Sequence, residues 1–84
     1  MKYCFITFRS VTFAQRGESE MKRVGIPCNV QRTPRWMEEQ GCGYSIRLRC
    51  QDVTVAVERL KGKQVPYRKV YLYGENGELE ETAL

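Results

Sequence analysis

An α+β domain, with a four-stranded antiparallel sheet and two helices on one of its faces, is the architecture this chain predicts. Three observations carry that expectation. Two segments of helical periodicity each follow an extended apolar run. Each of these helices ends in glycine, a short spacer and proline (Gly25-Ile26-Pro27 and Gly62 to Pro66), and each is succeeded by a further extended run. The 84 residues have room for one domain, and 42% hydrophobic with 29% charged residues places them with globular rather than disordered or low-complexity chains.

The first run, Lys2 to Phe8, is aromatic and β-branched, with Tyr3, Phe5 and Thr7 on one side and Cys4, Ile6 and Phe8 on the other. A strand that is apolar on both sides belongs in the middle of a sheet. Thr12 stands three residues before Gln15 in the pattern of a capping box, and Phe13, Ala14, Gly17, Met21 and Val24 then recur at helical spacing. Gly25 ends this helix and Pro27 blocks its return. Cys28 to Arg32 is a short extended segment. Thr33 to Gly43 follows as the least regular stretch of the body, holding Pro34, Trp36, Glu38, Glu39 and two glycines.

Tyr44, Ile46, Leu48 and Cys50 then alternate with Ser45, Arg47 and Arg49, which predicts a half-buried strand. Asp52 has the chemistry of an N-cap for a helix whose stripe is Val53, Ala56, Val57 and Leu60 and which stops near Gly62. Tyr67 to Tyr73 closes the body as a fourth strand. The order strand, helix, strand, strand, helix, strand is that of the ferredoxin-like βαββαβ sandwich, in which the first and third strands are central. Residues 1–74 are thus read as a single ferredoxin-like domain. Phe5, Phe8, Phe13, Met21, Val24, Ile46, Leu48, Val53, Val57 and Leu60 are its predicted core.

Residues 75–84 are read as a flexible acidic tail. The charge is divided accordingly, with +8 on residues 1–74 and −4 on the last ten. Such a body suits an acidic partner or nucleic acid, and equally an ordinary solvated surface. No apolar run approaches the roughly 20 residues of a membrane helix. The amino end carries no charged-then-apolar leader, so no membrane association, a cytoplasmic location and reduced thiols are expected.

Histidine is absent, which removes the commonest general base and most zinc sites. There is no paired-glycine phosphate loop. The cysteines stand at positions 4, 28, 42 and 50, without the two-residue spacings of metal knuckles or dithiol redox motifs, so neither a metal nor a cofactor is expected. Cys4 and Cys50 alternate with the apolar sets of their strands and read as small core residues. Cys28 opens a strand at a half-buried position. Cys42 differs, because Gly41 and Gly43 flank it, leaving its sulfur open and letting backbone N–H groups approach. An exposed thiol beside free amides can be held partly as thiolate, the attacking form. Spacing alone also allows an inert loop cysteine.

An extended run, then Pro34-Arg35, then a short loop ending in Cys42-Gly43, then the strand Tyr44-Ser45-Ile46-Arg47-Leu48 resembles the selenium/sulfur carrier protein-like family of small domains with a Cys-Gly motif. The resemblance spans roughly residues 1–73 and includes Tyr3, Thr7 and Phe8 of the opening strand and the Gly25-Ile26-Pro27 turn. It implies that Cys42 accepts sulfur or selenium as a persulfide or perselenide and passes it to a second protein. Gly41 and Gly43, with Pro34 and Arg35, would support the loop. The implied partners are a donor of the cysteine desulfurase or selenocysteine lyase type and a sulfur or selenium acceptor protein, making the chain a carrier rather than an enzyme. Where the family has a serine-rich stretch, this chain has Trp36-Met37-Glu38-Glu39-Gln40-Gly41. Two carboxylates so near a thiol raise its pKa unless Arg35 or the amides outweigh them.

Two other function classes compete. A basic ferredoxin-like domain with aromatic central strands is the plan of an RNA-binding module, and Gly43-Tyr44-Ser45-Ile46 echoes part of that module's third-strand motif. That motif exposes the residues aligned with Tyr44 and Ile46 and buries the one aligned with Arg47, the reverse of the alternation here. The third class is a protein-interaction or regulatory domain without thiol chemistry. There Tyr67, Tyr71 and Tyr73, at even spacing, would line a homodimer interface and Trp36 would mark a docking surface.

Overall fold

The computed structural model describes residues 3–33, 43–73 and 79–82. They form β1 (Tyr3–Phe8), α1 (Val11–Arg23), β2 (Cys28–Arg32), β3 (Tyr44–Arg49), α2 (Val53–Gly62), β4 (Val70–Tyr73) and β5 (Leu79–Thr82), with one 3-10 turn at Cys50–Asp52 ahead of α2. A single antiparallel sheet joins the strands in the order β2-β3-β1-β4-β5. The first four strands and the two helices make the predicted α+β ferredoxin-like arrangement, with β1 and β3 at its centre. No helix among the described residues is long and apolar enough to cross a membrane.

Alternation along β1 decides where the core lies. Cys4 pairs across to Leu48 on β3 and Leu72 on β4, and Ile6 lies between Ile46 and Val70. Cys4, Ile6, Phe8, Ile46, Leu48 and Val70 are buried in one cluster with Ala14 and Met21 of α1 and Ala56, Val57 and Leu60 of α2. A Cβ placed on Gly17 would lie 2.9 Å from both Ile46 Cδ1 and Phe8 Cζ, so α1 approaches the sheet more closely than a larger residue permits. The helices are tied to each other by Arg59 Nε donating to Glu20 Oε1 at 3.0 Å. Phe5, Thr7 and Ser45, on the opposite side of the pleat, are also buried.

Both helices end in the same way. Gly25 (φ 75°) follows α1, its N–H bonding Lys22 O at 3.2 Å while Ile26 N–H bonds Met21 O at 2.9 Å. After α2, Gln64 N–H bonds Lys61 O at 3.2 Å and Val65 N–H bonds Leu60 O at 2.9 Å. These are Schellman motifs, in which the first residue past the cap is left-handed and the next one returns to the core. Ile26 and Val65 are accordingly buried. In α2 the left-handed position falls to Gln64 (φ 57°), two residues after the glycine at which the sequence reading stops the helix. A side chain there carries a steric cost that glycine does not. Gln64→Gly is therefore expected to raise stability by about 0.5–1 kcal/mol, measured as a higher urea midpoint at unchanged slope. A lower midpoint would contradict this.

Several boundaries differ from the sequence reading. The N-cap of α1 is Ser10, whose Oγ accepts from Phe13 N–H at 3.3 Å, so the helix starts ahead of Thr12. Asp52 makes no capping hydrogen bond; its carboxylate instead accepts from Arg49 Nε at 3.1 Å and pairs with Arg49 Nη2 at 3.0 Å. Val24, expected in the core, is 38% exposed because the chain turns at Gly25 and Ile26 takes the inward place. Phe13 and Val53 pack at the core's edge. Tyr67 to Lys69 lie before β4, so Tyr67 is not in a strand with Tyr71 and the even-spaced tyrosine stripe is not formed.

The acidic tail, read as flexible, contributes β5, which pairs antiparallel to β4 from Tyr73↔Leu79 to Val70↔Thr82. The sheet thus has five strands rather than four. Strand addition at an edge is made by main-chain hydrogen bonds and needs no apolar period in the sequence.

Candidate functional site

The residues that the sequence reading gathers around a reactive thiol are Pro34, Arg35, Gly41, Cys42 and Gly43. Pro34, Arg35, Gly41 and Cys42 lie outside the described residues, as do Trp36, Glu38 and Glu39. Gly43 lies within them and is buried. Its carbonyl accepts from Thr33 N–H at 2.9 Å, continuing the β2–β3 ladder one step beyond the Arg32↔Tyr44 pair. The two ends of the intervening segment are therefore fixed side by side. Register carries this point across the sheet, because Tyr44 pairs with Phe8. Gly43 thus belongs to the same end of the sheet as Arg9, the residue that follows β1.

That end is rich in cations. Arg32 stands with its Cζ 5.9 Å from the Tyr44 ring centroid, and the connection into β4 brings Arg68 and Lys69 alongside β1. Thr7 holds this connection in place. Thr7 N–H donates to Lys69 O at 2.8 Å, Lys69 N–H to Thr7 Oγ1 at 3.0 Å, and Arg68 N–H to Thr7 O at 2.7 Å. Cationic surroundings favour a thiolate over a thiol.

Sequence reasoning missed two hydroxyls beside Gly43. Ser45, assigned to the solvent side of β3, is 0% exposed, and Thr33 is also buried. Among the described residues, neither Ser45 Oγ nor Thr33 Oγ1 has a hydrogen-bond partner. An unpaired buried hydroxyl opposes folding. Ser45→Ala is accordingly expected to increase stability by about 1 kcal/mol in thermal or urea unfolding. A loss of similar size would show that the hydroxyl is bonded in solution. No signal in the sequence reveals this burial, since a serine on the same strand side as two arginines reads as exposed.

The other three cysteines can be ranked. Cys4 is fully buried, and its pKa is pushed up to about 12, first by burial, then by its hydrogen bond with Cys50 and the charge Cys50 would carry. Cys28 is half-buried; burial, followed by the charge of Glu18, raises its pKa, with Lys22 partly opposing. Cys50 is half-buried in the turn after β3 and packs against the core. Cys4 and Cys28 are therefore held as thiols. Among the described residues no three or more cysteine, aspartate or glutamate side chains converge as a metal site would require.

The two β3 residues that the RNA-binding motif of the competing reading exposes face inward here. Ile46 is completely buried beneath the helices and Tyr44 packs against the core on the same side. Arg47 stands on the opposite side, its Cζ 5.0 Å from the Tyr3 ring centroid.

Comparison with known proteins gives one family. The sequence model of the family described as "Putative Se/S carrier protein-like" matches residues 3–72, from the start of β1 into β4 and across the Cys42-Gly43 step. No curated protein and no solved structure matches the chain.

Proposed function

We propose that this chain, which belongs to the Se/S carrier protein-like family, carries sulfur or selenium on Cys42 and delivers it to a second protein. The observation that carries the reading is the family match over residues 3–72, within which Cys42 is the cysteine of the Cys-Gly step.

In the transfer, the Cys42 thiolate attacks the outer sulfur of a persulfide on a donor such as a cysteine desulfurase. The donor's S–S bond breaks, its cysteine leaves as thiolate, and a new S–S bond forms on Cys42. The acceptor's thiolate repeats the exchange in the opposite direction, so the sequence needs no external oxidant or reductant. Selenium delivered by a selenocysteine lyase type of donor follows the same pattern. The arrangement of cysteines supports this assignment, since Cys4 and Cys28 are disfavoured as nucleophiles by burial and raised pKa.

The test is direct. Reduced protein incubated with a cysteine desulfurase and cysteine is expected to gain one sulfur on the Cys42 peptide before any on those of Cys4, Cys28 or Cys50, as read by mass spectrometry. Cys42→Ser should abolish loading while leaving the circular dichroism and melting curve unchanged. Loading that persists in Cys42→Ser, or alkylation of the native protein at Cys28 ahead of Cys42, would reject the carrier assignment.

A further inference from the structure

Where the end of β1 meets the connection between α2 and β4, the surface opens into a cavity of about 470 Å³ lined by Arg9, Phe13, Pro66, Tyr67, Arg68 and Lys69. This size is that of a small-molecule site. Three of the six lining residues are cations, two are aromatic and none is acidic. The carrier chemistry proposed for Cys42 uses neither the volume nor the aromatic walls.

The charge of this cavity has two sources. Arg9 is exposed, and the ion pairs formed among the described residues engage Lys22, Arg23, Arg49 and Arg59 but not Arg9. Arg9 and Phe13 bracket the start of α1, which carries no acidic residue in its first turn. The positive end of that helix is thus left without a countercharge from its own sequence. The Arg9 guanidinium matches the oxygens of a phosphate, while α1 adds the field of its positive end, its Phe13 N–H being taken by Ser10 Oγ.

The shape and rigidity narrow the ligand further. Phe13 and Tyr67 are half-buried and packed against the core, so the rings offered to the cavity are held from behind. The floor on the β4 side is pinned to Thr7 by the main-chain bonds of Arg68 and Lys69, so the cavity is formed before a ligand arrives. An acidic protein segment would be met by dispersed surface cations. A half-open cleft with two aromatic walls fits a compact ligand that has a planar ring.

We propose that this cavity binds a phosphorylated small molecule with a planar ring, the chemistry of a nucleoside monophosphate. Its phosphate meets Arg9 near the positive end of α1, and its ring lies against Phe13 and Tyr67. The proposal is independent of Cys42.

The experiment is an amide NMR titration of the full chain with AMP, and in parallel with adenosine, inorganic phosphate and a short single-stranded RNA. Saturable shifts for AMP confined to Arg9, Phe13 and residues 67–69 are expected, with adenosine and phosphate each weaker by about tenfold or more. Arg9→Glu, at an exposed position, should weaken AMP binding at least about tenfold. Tyr67→Leu should weaken AMP binding while leaving phosphate binding as it was. Three results would overturn the proposal: shifts spread over the basic surface without saturation, AMP binding unaffected by Arg9→Glu, or RNA binding in the absence of any AMP binding.

Discussion

Replacing Phe8 by alanine is expected to cost about 3–5 kcal/mol of stability, the upper range for a buried aromatic residue. Phe8 is 0% exposed and the largest of the fully buried side chains. Its position explains why the loss should not be recovered by relaxation. The Cζ end of its ring lies beneath Gly17, where α1 has no side chain to move into the space left behind. Gly17→Ala in the native background should itself be unfavourable or neutral. The overpacking cost of roughly 1–3 kcal/mol is partly offset by a helix-propensity gain of about 1 kcal/mol. In the Phe8→Ala background the same methyl group finds room, so the double mutant should be more stable than additivity predicts. Urea unfolding of the four proteins measures the coupling. Strict additivity would mean that the ring and the glycine do not share one packing site.

The second large effect is on the alkaline side. A thiol whose pKa is raised in the folded state is favoured there in its neutral form. The unfolded chain therefore loses that proton first, and stability declines as pH rises above the unfolded value. For Cys4 the window runs from the ordinary value of 9.0 to about 12, and the full loss is bounded by about 4 kcal/mol. Between about pH 8.5 and pH 10.5 roughly 2 kcal/mol of this should appear. Lysines and tyrosines contribute a background over the same range. Cys4→Ala is the control, because it keeps that background and removes the thiol. Urea midpoints should fall more steeply with pH in the native protein than in Cys4→Ala. Parallel slopes would show that Cys4 ionises as readily folded as unfolded.

These two predictions rest on residues whose positions the sequence makes legible to different degrees. Phe8 and Cys4 can be placed in the core from the alternation of β1 alone, since a strand apolar on both sides has no solvent face to choose. The stripes Ala14, Gly17, Met21 and Ala56, Val57, Leu60 are equally plain, because a helix of period 3.6 can bury them together on only one side. The reactive-cysteine site is legible only as a motif. Cys42 stands out through its glycine neighbours and through the family resemblance, while Pro34, Arg35, Gly41 and Cys42 lie outside the described residues.

Local pattern determined the element order, the central strands, the helix stripes and the α+β ferredoxin-like class, because each depends on periodicities within a dozen residues. Tertiary structure decided what local pattern leaves open. Ser10 rather than Thr12 caps α1, Asp52 turns to Arg49 instead of capping α2, and Gln64 takes a left-handed turn that the sequence reading places near Gly62. Ser45 is buried although it shares its side of β3 with two arginines, and Leu79–Thr82 joins the sheet without any apolar rhythm. The physical reason is common to these cases. Caps, turns and edge pairings are settled by main-chain hydrogen bonds and by which surfaces meet, and several residue types satisfy them equally well. The cavity at Arg9, Phe13 and Tyr67 belongs with them, since its walls come from stretches more than fifty residues apart that only the folded sheet brings together.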